Sequence, residues 1–81
     1  MKTIKYFSAK WCGPCRNFKP VMEEVASEGY SVQFIDIDES GELADKYRIT
    51  SVPTVVIEVN GTAVDRFTGA IPKNQILERM M

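Results

Sequence analysis

Both cysteines of this 81-residue chain lie in one pentapeptide, Trp11-Cys12-Gly13-Pro14-Cys15. A strand-like run leads into it and a helix-like run leads out. A C-x-x-C pair beside a βαβ pattern reads as a redox couple rather than a staple. If Cys12 ends the strand connection and the helix starts near Gly13-Pro14, the Cys12 sulfur sits at the positive end of that helix. The first turn carries N–H groups without intrahelical partners, and these favour an anion. A thiolate is such an anion and is the form that attacks disulfides. Pro14 fits the first turn because its missing N–H would be unpaired anyway. Cys15 falls about one turn on and can reach back. The expected chemistry is thiol–disulfide exchange. Cys12 attacks a substrate disulfide, and Cys15 then attacks Cys12 and releases the reduced product.

Three plainer readings compete. A disulfide across so short a loop restricts the unfolded chain little, so it makes a poor structural staple. Two inert buried thiols would not need Gly-Pro between them at a helix start. Zinc wants four ligands, and the chain offers two cysteines and no histidine, so a metal or cluster would need a second chain. No metal or other cofactor is expected.

The residues that must hold this pair follow in order. Lys2–Ser8 reads as a first, interior strand. From about Gly13 to Glu28, Phe18, Val21, Met22, Val25 and Ala26 fall on one helical face, with Pro20 inside the helix and Gly29 as its stop. Ser31 to Asp38 reads as a second strand, which makes a parallel pair with a right-handed crossover. Asp38-Glu39-Ser40-Gly41 breaks the pattern and caps a short helix whose apolar side is Leu43, Ala44 and Tyr47. Thr54–Val59 is the strongest strand of the chain. Asn60-Gly61 is a hairpin signal, and Thr62 to Thr68 returns through Val64 and Phe67. Pro72 is placed in the first turn of a last helix with Ile76, Leu77 and Met80 inside. The expected fold is α/β, ordered βαβ-α-ββα. It is a four-stranded mixed sheet in the spatial order second, first, third, fourth strand, flanked by three helices. Residues 1–81 are expected to form one domain.

Composition excludes some partners. Ten basic and eleven acidic residues leave a net charge of −1. No strong field draws nucleic acid or an anionic membrane. The start of the chain lacks the apolar core of a signal peptide, and no apolar run approaches the roughly 20 residues of a membrane span. A cytoplasmic setting follows, in which a disulfide is transient and catalytic.

The Trp-Cys-Gly-Pro-Cys pentapeptide, together with the later Val52-Pro53-Thr54 step, resembles the thioredoxin family over nearly the whole chain. Gly-Pro between the cysteines is closer to thioredoxins than to glutaredoxins. The family's usual leading strand and helix are expected to be missing, since eleven residues precede Cys12. The shorter glutaredoxin-like members are similar in this respect. The resemblance implies a protein-disulfide reductase acting on disulfide-containing proteins, working as a monomer and recharged by a flavoprotein thioredoxin reductase. It implies a cis Val52–Pro53 bond packed on the cysteines. It also implies an uncharged docking surface of Trp11, Val52, Pro53, Gly69 and Ala70, with the Val52 backbone open to an extended substrate segment. Lys10 and Arg16 flank the motif as solvated charges.

One departure stands out. The family's buried Asp, six residues before the first cysteine, is Tyr6 here, and its Lys partner is Phe34. The usual proton acceptor for the second cysteine is therefore absent. Two other functions remain open. One is a glutathione-dependent, glutaredoxin-like reductase. The other is a thioredoxin-fold interaction subunit whose cysteines do no chemistry.

Overall fold

The computed structural model describes residues 1–81. The elements are β1 (Lys2–Ser8), α1 (Gly13–Ser27), β2 (Ser31–Asp36), α2 (Gly41–Lys46), β3 (Thr54–Val59), β4 (Thr62–Thr68) and α3 (Lys73–Met80). The sheet order is β2-β1-β3-β4, as the sequence leads one to expect. β1 runs parallel to β2, while β3 is antiparallel to both β1 and β4.

Alternation along β1 and β3 divides the core between the two faces of the sheet. Ile4, Tyr6, Val55 and Ile57 point to one face, where Phe18, Met22 and Val25 of α1 meet Ile76 and Met80 of α3. Phe7, Ile35 and Val56 point to the other, where Leu43 and Tyr47 cover them. Each large apolar side chain buried here contributes about 1.5–3 kcal/mol. β3 is a central strand covered on both sides, which is why Thr54 through Glu58 are all buried. α1 is one uninterrupted helix with Pro20 on its exposed side.

Three details differ from the sequence reading. β2 stops at Asp36 rather than Asp38. The Asp36 carboxylate accepts from the N–H groups of Asp38 (2.8 Å) and Glu39 (3.3 Å), and that turn ends the strand. Val64 does not pair inward. Ile57 faces Asp65 while Glu58 faces Ala63, so Val64 is the extra residue of a bulge and is exposed. Pro72 is the N-cap of α3 and lies just outside its first turn, with an extended backbone at ψ 150°.

Asn60 (φ 51°) and Gly61 (φ 86°) both take the left-handed conformation, as a two-residue type I′ hairpin requires. Space around Gly61 is open, so a methyl group there meets nothing within 4 Å. Gly61→Ala therefore costs only its backbone conformation, about 1 kcal/mol. Thermal unfolding should show a melting temperature lower by about 4–8 °C.

Beneath α2 the sheet buries a charged group. Glu58 accepts from Lys5 Nζ at 2.7 Å and from the Tyr47 hydroxyl at 2.5 Å. The Tyr47 carbonyl in turn accepts from Arg66 at 2.9 Å. Burial pushes the Glu58 carboxyl up, but the hydrogen bonds from Lys5 and Tyr47 and the Lys5 and Lys46 charges outweigh it. The group ends below the usual carboxylate range. Lys5 is raised, chiefly by its bond to Glu58.

Candidate active site

Residues 9–12 turn the chain from β1 into α1, closed by Cys12 N–H to the Ala9 carbonyl at 3.1 Å. Cys12 is the N-cap of α1, with extended backbone (φ −87°, ψ 112°). Its sulfur accepts from the Cys15 N–H at 3.2 Å. That N–H belongs to the first turn and has no carbonyl to bond within the helix. Gly13 and Pro14 form the start of the helix, and this one first-turn N–H points at the Cys12 sulfur. Cys12 and Cys15 are joined as a disulfide with Cα atoms 5.3 Å apart. Both are nearly buried, at 5% and 2% exposure.

The pair packs with Ala9 and against Ile37 and Val52. Cys12 Sγ lies 3.8 Å from the Val52 carbonyl oxygen. The Val52–Pro53 bond is cis, as the resemblance implied. The Pro53 carbonyl accepts from the Gly69 N–H at 2.8 Å, and Gly69 has φ 83°. That bond ties the turn after β4 to the segment that touches Cys12, with Ala70 exposed beside it. Trp11 is 62% exposed. Its indole N–H donates to Asp38 at 2.9 Å. Asp38 is not among the residues that the sequence points to. Its only signal is the acidic break after β2, which reads equally well as a helix cap. Lys10 pairs with Glu39 at 3.3 Å, and both side chains are largely solvated.

Tyr6 and Phe34 face each other across β1 and β2. Tyr6 is 1% exposed, and its ring meets those of Phe18 and Phe34 edge-on, each at 5.7 Å. Its hydroxyl donates to the Cys15 carbonyl at 3.0 Å. Burial raises the phenol above its ordinary range, against a smaller opposing pull from Ser8. In place of the family's acid and lysine, the sheet holds an aromatic pair and a neutral donor.

A strand, a sharp turn and a helix whose first turn donates an N–H to one sulfur of a bonded pair are the arrangement of a thiol–disulfide oxidoreductase site. The βαβ-α-ββα framework around it is the thioredoxin-like fold. The thioredoxin family model matches residues 2–81. Thioredoxin from Mycoplasmoides gallisepticum is 39% identical over 79 residues, covering 95% of this chain and 79% of that one. Thioredoxin 2 from Chlorobaculum tepidum is 42% identical over 77 residues, covering 91% of this chain and 71% of that one. Among solved structures, thioredoxin from Fasciola hepatica superposes with a TM-score of 0.90 at 38% identity, over 98% of this chain and 77% of that one. The chain belongs to the thioredoxin family. It is an enzyme of the thioredoxin type. No helix is long and apolar enough to cross a membrane.

Proposed function

We propose that this protein reduces disulfides in other proteins by cycling Cys12 and Cys15 between dithiol and disulfide. The observation that carries the reading is the Cys12 sulfur at the mouth of α1, accepting the Cys15 N–H at 3.2 Å. Cys12 is the attacking thiolate. It forms a mixed disulfide with the substrate, and Cys15 displaces the product and closes the Cys12–Cys15 bond. The substrate segment lies along Val52 and Pro53, with Trp11, Gly69 and Ala70 framing an uncharged surface around Cys12. Extended backbone can pair there by strand addition, which accepts many sequences. The chain works as a monomer in a reducing compartment such as the cytoplasm, and electrons come from a flavoprotein thioredoxin reductase.

The test compares two donors on the oxidised protein with a disulfide-bonded protein substrate. Thioredoxin reductase with NADPH is expected to sustain turnover faster than glutathione at matched reducing power. Turnover sustained by glutathione alone would overturn the reductase assignment in favour of glutaredoxin-like chemistry. A role that survives loss of both thiols, in a Cys12→Ser/Cys15→Ser variant, would overturn the catalytic reading altogether.

A further inference from the structure

The resolving thiol must lose a proton before it can attack, and no carboxylate is buried beside it. A groove of about 490 Å³ runs along the β1–β2 side of α1. Cys15, Tyr6 and the small residues Ser8 and Ala9 are among the residues that line it. Phe34, 42% exposed, lines it as well. At about 30 Å³ per molecule, the groove has room for several waters.

We propose that Cys15 releases its proton into this groove, to water or a small dissolved base, in the step that sets the rate of resolution. The proposal rests on the exchange reading above and supplies its missing acceptor. The step balances without further reagents. The Cys15 S–H bond breaks and its proton goes to the base. The Cys15 sulfur then bonds to Cys12 Sγ as the Cys12–substrate bond breaks, and the departing substrate thiolate takes a proton from solvent.

The side chains around the groove are poor acceptors. Lys10, Arg16 and Lys19 are cations with no free lone pair. The Tyr6 hydroxyl already donates to the Cys15 carbonyl, and burial keeps it protonated. Asp36 receives both of its backbone N–H bonds on Oδ1 and Glu39 meets Lys10 through Oε2, and neither carboxylate is hydrogen-bonded to Cys15.

The test is a single-turnover reaction of the reduced protein with a disulfide substrate, followed by the fluorescence of Trp11, the only tryptophan. Attack gives a phase that depends on substrate concentration, and resolution a phase that does not. At fixed pH and ionic strength, added imidazole should speed resolution in proportion to its concentration and leave the attack phase alone. Imidazole carried on a polymer too large for the groove should not. Ser8→Leu adds bulk to the groove's lining. It should slow resolution about tenfold and abolish the response to free imidazole, with folding checked by circular dichroism. The buffer comparison needs no variant and stands if Ser8→Leu does not fold. Resolution indifferent to free imidazole, or equally sensitive to the polymer-bound form, would overturn the proposal while leaving both phases visible. A reaction with no resolution phase at all would instead refute the exchange reading on which it rests.

Discussion

Cys15→Ser is expected to turn the protein from a catalyst into a trap. Cys12 keeps its seat at the start of α1, because the N–H it accepts from is main chain and survives the substitution. Attack on a substrate disulfide therefore proceeds, and a mixed disulfide forms. In the unaltered protein the second sulfur is held next to the first, with Cα atoms 5.3 Å apart. Neighbouring groups so placed react as if present at very high concentration, far above the millimolar thiol that could replace them. Turnover should fall by on the order of a thousandfold or more. Intact-mass measurement should show one substrate molecule bound through Cys12. Cys12→Ser should show no adduct and only background turnover, since it removes the attacking sulfur. Undiminished turnover of Cys15→Ser with a dithiol reductant would rule out the two-cysteine cycle.

Lys5→Met is expected to give the largest loss of stability that a single surface-reaching charge causes in this fold. The methionine keeps the apolar stem and removes the ammonium. Glu58 is then left buried with the Tyr47 hydroxyl alone. Leaving one partner of a buried pair uncompensated costs about 3–5 kcal/mol, and the partial exposure of Lys5 points to the lower end. The whole domain is worth on the order of 4–12 kcal/mol. Thermal unfolding should fall by about 10–20 °C. The double variant Lys5→Met/Glu58→Gln should recover much of the loss, because no charge is then stranded.

The sign of the pH dependence is fixed by the two shifts. Glu58 is depressed in the folded protein, so its contribution is present above the unfolded value of about 4.3 and is lost as pH falls through the folded value. Lys5 is raised, so its contribution is present below about 10.4 and is lost as pH rises through the folded value. The deficit of Lys5→Met relative to the unaltered protein should therefore be full near neutrality and shrink in acid. Urea unfolding at a series of pH values measures it directly.

How legible these features are depends on how local they are. The α1 face of Phe18, Met22 and Val25 is written at helical spacing, and the Asn60-Gly61 turn is two adjacent residues. Both are read from neighbours in the chain. The Cys12–Cys15 site is equally local, with turn, cap and both sulfurs inside residues 9–15. The outward turn of Val64 escapes such reading because a bulge inserts one residue without changing composition. Asp38 escapes it because its partner Trp11 is 27 positions away. The Glu58 network joins groups 53 and 11 positions apart, and nothing in a Val-Ile-Glu-Val strand announces that its acid faces inward. The groove beside Cys15 is the clearest case. It is lined by residues of β1, β2 and α1 that lie far apart in the chain, and no local pattern announces the space between them.

The state of the Cys12 sulfur in the reduced protein decides the mechanism as a whole. Ultraviolet absorbance of the thiolate, followed across pH with Cys15→Ser to isolate one sulfur, measures it. A seat at the start of α1, with the Cys15 N–H donated to the sulfur, predicts ionisation clearly below the ordinary cysteine value of about 8.5. Titration at or above that value would contradict it.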